Sequence, residues 1–125
     1  MGRNVLVIDD EVECLELATI SLRLFGDWRV YQAQTKEEAI EKALELRPDV
    51  IMTDYYLAES TGGEIISALR AFEELNQIPI VVYSGSPDAA RKDPACAENV
   101  EILAKPLNPE SLSGTLLRIC GIEES

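Results

Sequence analysis

Five side chains that could do chemistry stand where short apolar runs of the sequence end. They are three carboxylates, a hydroxyl and an amine: Asp9, Asp10, Asp54, Ser84 and Lys105. If the apolar runs are parallel strands of one sheet, their carboxyl ends share one edge and these side chains meet there. Carboxylates in close proximity raise one another's pKa values unless a cation joins them, and clustered oxygen ligands suit Mg²⁺ or Mn²⁺.

The lysine and the hydroxyl of this set fit phosphoryl chemistry. Beside a metal, they could hold the other oxygens of a phosphoryl group. The pattern therefore indicates an aspartyl-phosphate site, in which one Asp is the nucleophile and the others bind metal. Singly, each residue has a simpler interpretation: Asp10 could cap a helix, Ser84 could belong to a turn beside Gly85, and Lys105 could be a solvated charge. Together, at the ends of four predicted strands, they favour the functional interpretation.

Apolar runs that predict strands alternate with helical patterns along the chain. The predicted strands cover residues 4–8, 28–33, 49–54, 78–84 and 100–104. The second run is less apolar, which favours a position at the edge of the sheet. Near-continuous apolar strands separated by helices predict a parallel sheet covered on both faces. With right-handed crossovers, the expected fold is a doubly wound α/β sandwich, formed as one domain over residues 1–125.

Capping and spacing signals locate the helices. Residues 35–38 form a capping box, and residues 108–109 predict the start of the last helix. Apolar spacings of three and four predict that the first helix buries one stripe. The residues of this stripe are Val12, Leu15, Ala18, Leu22 and Phe25. The fourth helical segment contains Pro87, Pro94 and only small apolar residues, so we expect it to be short, loosely anchored and the most mobile element.

The composition excludes several classes of function. A net charge of −12 argues against unaided binding of nucleic acid, because the chain would repel phosphates. Without histidine, the chain cannot hold a Ser-His-Asp triad, a histidine-ligated zinc ion or a phosphohistidine of its own. No apolar run approaches the ~20 residues of a membrane span. Three cysteines without CxxC spacing are typical of reduced thiols, so we expect a cytoplasmic protein.

From Val5 to about Ile119, the sequence resembles the response-regulator receiver domain of two-component signalling. The motifs that carry the resemblance are the acidic pair within residues 7–11, Asp54, Gly62 eight residues later, Ser84-Gly85 and Lys105-Pro106. The resemblance implies a flavodoxin-like three-layer sandwich. Its five parallel strands would have the order 2-1-3-4-5, with about five flanking helices.

The resemblance also implies a role for each acidic residue. Asp54 would be the phosphoacceptor and would bind Mg²⁺ or Mn²⁺ directly, together with Asp10 and the backbone carbonyl of Tyr56. Asp9 would act on the metal through water. Lys105 would pair with an oxygen of the phosphoryl group.

Further roles concern the switch and the partners. Ser84 would hydrogen-bond the phosphorylated Asp54, Gly85 would leave room for the donor, and the peptide bond before Pro106 would be cis. The donor would be a phosphohistidine of a sensor histidine kinase or a histidine phosphotransfer domain. The fourth helix, fifth strand and fifth helix would form the face that binds an unknown downstream protein. The implied role is signalling, without enzymatic activity beyond slow self-dephosphorylation.

Two positions depart from the receiver pattern. Ile102 stands where an aromatic switch residue is usual, three residues before Lys105, so a coupled rotation of that aromatic with Ser84 cannot operate in its usual form. Ile102 is also consistent with strand core. Tyr56 follows the phosphoacceptor by two positions, where its ring could shield the phosphoryl group from water. The alternative is that this ring lies at the surface.

Three alternatives agree less well with the residues. A phosphatase of the haloacid dehalogenase type needs a second Asp two positions after its nucleophile, but Tyr56 and Glu11 occupy those positions after Asp54 and Asp9. A nucleotide or flavin module needs a phosphate-binding loop that is missing. A phosphorylation-independent interaction module would be expected to lose the acidic pair, the acceptor or the lysine. The receiver could be a stand-alone regulator, a phosphorelay shuttle, or part of a hybrid kinase or a longer regulator.

Overall fold

The computed structural model describes residues 3–121. In chain order, the elements are β1 (Arg3–Ile8), α1 (Val12–Phe25), β2 (Trp28–Ala33), α2 (Lys36–Leu46), β3 (Val50–Thr53), α3 (Gly62–Arg70), β4 (Ile80–Ser84), α4 (Pro87–Arg91), β5 (Val100–Ala104) and α5 (Pro109–Ile119). Two single 3₁₀ turns, the 73–75 turn (Glu73–Leu75) and the 94–96 turn (Pro94–Cys96), precede β4 and β5. All five predicted strands are present. None of the helices within residues 3–121 is long and apolar enough to span a membrane.

The five strands form one parallel sheet in the order β2-β1-β3-β4-β5. This order confirms the doubly wound fold and places β2 at an edge, as its less apolar pattern predicted. From β1 the chain adds β2 on one side of the sheet and β3 on the other, so the direction of winding reverses between β1 and β3. In sheets of this type, a crevice opens at that point beyond the carboxyl ends of the strands. The register pairs Ile8 with Thr53, so Asp9 and Asp54 follow at neighbouring strand ends.

Two hydrophobic clusters fill the spaces between the sheet and its helices. Side chains alternate across a strand, so Leu6 and Ile8 join the cluster under α2 and α3, whereas Val5 and Val7 join the cluster under α1 and α5. Each fully buried leucine or isoleucine stabilises the fold by about 1.5–3 kcal/mol. The two clusters therefore fix the strands, and with them the sheet edge that carries the polar residues.

Side-chain caps begin three of the helices. The Thr35 hydroxyl accepts a hydrogen bond from the Glu38 N–H at 3.1 Å, which confirms the predicted cap. The Glu38 carboxylate accepts the return bond from the Gln34 N–H at 2.8 Å, one residue earlier than in a standard capping box. Asn108 caps α5 by accepting from the Ser111 N–H at 2.8 Å. Thr61 caps α3 in the same way, a cap that was not predicted. Each cap contributes about 1 kcal/mol.

The predicted apolar stripe of α1 is correct in the middle of the helix and wrong at its ends. Leu15, Ala18 and Leu22 are buried against the sheet and α5. Val12 and Phe25 are 53% and 47% exposed, because they are the first and last residues of α1 and lie beyond the stretch that its neighbours cover.

The fourth helical segment is short, as predicted, since α4 has only five residues. It is not loosely anchored, however. Ala90 and Cys96 are buried in the cluster under α2 and α3, and the Asp93 side chain is hydrogen-bonded at both of its oxygens. Its mobility stays a prediction.

Candidate functional site

The carboxyl ends of β1, β3 and β5 bring two carboxylates and one amine together. The Lys105 ammonium (Nζ) lies 3.3 Å from Asp9 Oδ2 and 3.2 Å from Asp54 Oδ2. Asp9 is buried, while Asp54 and Lys105 are half-buried. The three residues are far apart in sequence, and the parallel sheet places them on one edge. One ammonium serves two carboxylates, so one negative charge is left uncompensated.

Burial and charge act in opposite directions on these groups. Burial disfavours the charged form of Lys105, but the carboxylates of Asp54 and Asp9 outweigh it, and the pKa of Lys105 is raised. Burial also raises the pKa of Asp9, and the Glu11 N–H and Lys105 only partly offset this effect. The lysine therefore stays protonated and holds the two carboxylates together.

Backbone contacts fix the Asp54 carboxylate in the loop after β3. The Tyr55 N–H donates to Asp54 Oδ1 at 2.6 Å, which leaves Oδ2 for Lys105. The loop then returns on itself, and the Gly62 N–H donates to the Tyr55 carbonyl at 2.5 Å. An ideal Cβ on residue 62 would lie 2.7 Å from the Asp54 carbonyl oxygen, closer than any ordinary contact. This close approach explains why glycine stands at this position after the predicted acceptor.

Asp9, and not Asp10, holds the start of the loop before α1. Asp9 Oδ1 accepts from the Glu11 N–H at 3.0 Å, while Asp9 Oδ2 faces Lys105. Glu11 is the N-cap residue of α1 and makes no side-chain capping hydrogen bond, so the simple interpretation of Asp10 as a helix cap is wrong. Asp10 lies half-buried beside this loop.

Candidate metal ligands cluster around Asp9. Within residues 3–121, the ligand atoms that all lie within 4.8 Å of one another belong to Asp9, Glu11 and Cys14. The predicted set of Asp9, Asp10 and Asp54 does not form such a group. Burial and the Asp9 carboxylate raise the pKa of Cys14, and sulfur is a soft ligand that hard divalent ions do not prefer. The Lys105 ammonium offsets only one of the two carboxylates that it contacts, so the remaining negative charge and the oxygen ligands at this edge fit a hard divalent ion such as Mg²⁺.

The end of β4 contributes Ser84 and Gly85. Ser84 is buried; its hydroxyl accepts from the Ser86 N–H at 3.0 Å, and its carbonyl accepts from the Lys105 N–H at 2.9 Å. Among the described residues, its hydroxyl makes no hydrogen bond to Asp54. A Cβ on Gly85 would meet nothing within 4 Å, so the space beside Ser84 is open.

Comparison with known proteins identifies the family. The family model described as the response regulator receiver domain matches residues 5–116. The chain belongs to the response-regulator receiver family. The two-component response regulator ORR5 of Oryza sativa subsp. japonica is 30% identical over 120 residues, which cover 93% of this chain and 87% of that protein. Other curated relatives are longer, and the chain spans only 51% of one and 52% of another.

Solved structures share the receiver fold. The chemotaxis response regulator CheY4 of Vibrio cholerae has a TM-score of 0.82 and 30% identity, with 95% of this chain and 99% of that chain covered. The receiver domain of the sensor histidine kinase PA1611 from Pseudomonas aeruginosa has a TM-score of 0.86 and 25% identity, with coverage of 97% and 99%. That structure holds a magnesium ion in its active-site cleft. These likenesses confirm the flavodoxin-like fold.

The β4 and β5 side of this receiver depends on a tyrosine that the sequence pattern did not indicate. The Tyr83 hydroxyl accepts from the Leu107 N–H at 2.8 Å, and the Lys105 ammonium lies 5.5 Å from the centroid of the Tyr83 ring. Ile102 is half-buried and packs against the cluster under α2 and α3, as strand core does. The Lys105–Pro106 peptide bond is cis, as predicted.

The two tyrosines after the predicted acceptor differ in their surroundings. Tyr55 is buried, and its hydroxyl donates to Asp93 Oδ2 at 2.7 Å. This hydrogen bond and burial raise the pKa of Tyr55 to about 12. Tyr56 is 57% exposed, and its ring meets that of Tyr55 edge-on with centroids 5.0 Å apart. The ring of Tyr56 thus lies at the surface, and its effect on a phosphoryl group stays a prediction.

A cavity of about 240 Å³ leads from the receiver site toward α1 and α5. Asp9, Asp54 and Lys105 form its polar end. Its walls are largely apolar and include Leu17 and Leu112. The site is therefore continuous with an apolar surface and is not an isolated polar cleft.

Proposed function

We propose that this receiver domain accepts a phosphoryl group on Asp54 from a phosphohistidine, in a reaction that depends on Mg²⁺ or Mn²⁺. The observation that supports this function is the convergence of Asp54 and Asp9 on Lys105 at the ends of three strands. The sequence contains no histidine, so the donor imidazole belongs to a sensor histidine kinase or a histidine phosphotransfer domain.

In the proposed transfer, an Asp54 carboxylate oxygen attacks phosphorus, an O–P bond forms and the N–P bond of the donor breaks. The imidazole nitrogen keeps the electron pair of the broken bond and takes a proton from water. Lys105, 3.2 Å from Asp54 Oδ2, offsets the negative charge on the phosphoryl oxygens. Because Asp9 also binds Lys105, the ammonium is in position before the donor arrives. The Ser84 hydroxyl then turns from the Ser86 N–H to a phosphoryl oxygen.

The proposed direct metal ligands are Asp10, Asp54 and the backbone carbonyl of Tyr56, with Asp9 acting through water. When bound, the ion supplies positive charge that offsets the repulsion between the carboxylate and the phosphoryl oxygens. This ligand set is the one that the receiver resemblance implies, whereas the ligand atoms that already cluster in the structure belong to Asp9, Glu11 and Cys14. Two observations support a divalent ion at this edge. The carboxylates at this edge exceed the single ammonium they share, and the similar receiver domain of PA1611 holds magnesium in its cleft.

We place the donor on an exposed apolar face of α1. Leu17, Ile20 and Leu24, at spacings of three and four, are 67%, 56% and 72% exposed. Contiguous exposed apolar side chains of this kind mark sites of protein association. Leu17 also lines the cavity that reaches Asp54, so a partner on this face would hold its phosphohistidine close to the acceptor.

Phosphorylation is proposed to shift an existing equilibrium at the face formed by α4, β5 and α5, which then binds an unidentified downstream protein. In this proposal the domain signals in the cytoplasm without direct contact with nucleic acid or membrane. It has no enzymatic turnover beyond slow loss of its own phosphoryl group.

Intact-protein mass spectrometry tests the proposed function. The chain is incubated with a small-molecule phosphodonor and Mg²⁺, beside an Asp54→Ala variant and a metal-free sample. We expect a gain of one phosphoryl group that is absent from both controls. A wild-type chain that stays unmodified, and that also fails to bind beryllofluoride, would identify a phosphorylation-independent interaction module instead.

A further inference from the structure

One hydrogen bond joins the loop after Asp54 to the segment between β4 and β5. The buried Tyr55 hydroxyl donates to Asp93 Oδ2 at 2.7 Å, across 38 positions of sequence. The other oxygen, Asp93 Oδ1, accepts from the Ala95 N–H at 2.9 Å and so caps the 94–96 turn. Both oxygens of the Asp93 carboxylate are therefore in use, one toward the site and one toward the turn.

The packing around Asp93 leaves its carboxylate little freedom. A Cβ on Gly63 would overlap this carboxylate, so the carboxylate lies directly against the first turn of α3. The partial positive charge at the start of a helix favours an anion in that place. Cys96 of the turn is buried in the same hydrophobic cluster as Tyr55. The 94–96 turn is thus anchored to the acceptor loop by both a hydrogen bond and packing.

Tyr55 contacts the acceptor as well as the turn. Its N–H donates to Asp54 Oδ1 at 2.6 Å, so one residue holds the acceptor by its backbone and the turn by its side chain. On β5, Ile102 has no hydroxyl with which to make a comparable link and packs as strand core. Tyr55 and Asp93 thus connect the acceptor to the segment before β5.

We propose that Tyr55 and Asp93 are positioning residues that transmit the state of Asp54 to the 94–96 turn. This inference rests on the proposed function. Phosphorylation removes the negative charge that the two Asp54 oxygens share and places it on the phosphoryl group. The hydrogen bond from the Tyr55 N–H then weakens, because bonds to charged acceptors are the stronger ones. The Tyr55 backbone shifts, and its hydroxyl moves Asp93 and loosens the cap at Ala95.

Amide hydrogen exchange at Ala95, followed by NMR, reports this change because Asp93 binds that N–H. The full chain is compared before and after phosphorylation by acetyl phosphate with Mg²⁺. In the wild type, we expect Ala95 to exchange about two- to tenfold faster after phosphorylation, the range that the loss of one hydrogen bond gives. In Tyr55→Phe, which keeps the ring and removes the hydroxyl, phosphorylation should proceed while the exchange rate stays the same in both states.

Two further variants separate transmission from simple loss of structure. Asp93→Ser keeps an N-cap oxygen for Ala95 but is too short to reach Tyr55, so it should also lose the phosphorylation-dependent difference. Tyr31→Phe removes a hydroxyl from a half-buried tyrosine of β2, and it should keep the wild-type difference. A merely structural role of Tyr55 would change exchange equally in both states.

The outcomes distinguish this inference from the function on which it rests. If the wild type is phosphorylated but Ala95 exchange does not change, the inference is wrong and the proposed function stands. The same holds if Tyr55→Phe responds as strongly as the wild type, or if Tyr31→Phe loses the response. If the wild type is not phosphorylated at all, the proposed function fails and the inference fails with it.

Discussion

Replacing Gly62 with alanine should displace the loop after Asp54, the proposed phosphoacceptor, because the new methyl group has no room. Its Cβ would lie 2.7 Å from the Asp54 carbonyl oxygen and 3.1 Å from Tyr55 Cα. Ordinary van der Waals contact begins at 3.4 Å, so the loop has to open by about 0.7 Å, the difference between 3.4 and 2.7. Both neighbours are backbone atoms, which cannot rotate away as the end of a flexible side chain can.

The expected effect of Gly62→Ala on stability is moderate, and the effect on chemistry is larger. Overpacking of this kind costs about 1–3 kcal/mol, which lowers the melting temperature of a domain of this size by roughly 4–12 °C. The displacement acts on Asp54 itself, and a misplacement of about 1 Å costs on the order of 100-fold in rate when two groups must meet. We therefore expect phosphorylation to slow by about 10- to 100-fold.

The assay combines thermal unfolding with the rate of phosphorylation by a small-molecule donor at saturating Mg²⁺. Gly114→Ala in α5 is the matched control, because a Cβ there would meet nothing within 4 Å. This change inside a helix should stabilise the fold by about 0.5–1 kcal/mol and leave the rate unchanged. A Gly62→Ala variant with the wild-type rate would refute the reasoning, whether or not its melting temperature falls, since the loop would then relax without moving Asp54.

Four further predictions concern Lys105, Tyr56, Cys96 and α4, and each can be measured directly. Lys105→Met should slow phosphorylation by about 100- to 1,000-fold through loss of a positioned cation, and a rate within threefold of wild type would contradict this role. Tyr56→Ala should shorten the lifetime of the phosphoryl group, because removal of the ring exposes that group to water. An unchanged or longer lifetime would contradict the shielding role of Tyr56. Burial and Asp93 raise the pKa of Cys96 to about 11. Because the thiolate reacts and its fraction increases with pH, alkylation of folded Cys96 should rise roughly tenfold per pH unit from pH 7 to 10. A rate that levels off near pH 9, around the ordinary pKa of a cysteine thiol, would show an unperturbed thiol. Amide exchange in α4 should be faster than in α3, and equal protection would contradict the predicted mobility.

The strands and the polar residues that end them were predictable because both are local features of the sequence. A run such as residues 50–52 is apolar throughout, and Asp54 follows it after a single threonine. Once alternation with helices indicates a parallel sheet, the meeting of Asp9, Asp54 and Lys105 follows from topology alone. The capping box at residues 35–38 was predictable for the same reason, since its partners are three positions apart.

Contacts between distant side chains were not predictable, because apolar spacing describes one face of an element and not what lies across from it. Arg70 donates to the carbonyls of Ile78 and Asn99 at 2.7 and 3.1 Å, which joins the end of α3 to the starts of β4 and β5. The Tyr55–Asp93 bond is of the same kind. Arginine and aspartate usually lie on exposed surfaces, so the sequence alone does not predict that these side chains make such contacts.

The choice between adjacent acidic residues also needed the structure. Asp9 and Asp10 have the same side chain and both follow β1, but successive residues leave a strand in different directions. Asp9 points inward to Lys105 and to the Glu11 N–H, whereas Asp10 lies half-buried outside that pair of contacts. The sequence predicted that an acidic pair would reach the site, and only the fold shows which member binds the lysine.

Lys105 gives β5 its own connection to the acceptor, independent of any aromatic side chain. Within residues 3–121, β5 is an edge strand that pairs with β4 alone, and its residues are all at least partly exposed. Strands with few buried contacts move at low cost in free energy. Lys105 is bound by Asp54 through its ammonium and by the Ser84 carbonyl through its N–H, so a new position of the acceptor charge pulls on the ends of β4 and β5 together. Isoleucine at position 102 therefore does not isolate β5, since Lys105, the residue proposed to bind the phosphoryl group, directly follows β5 in the proposed output face.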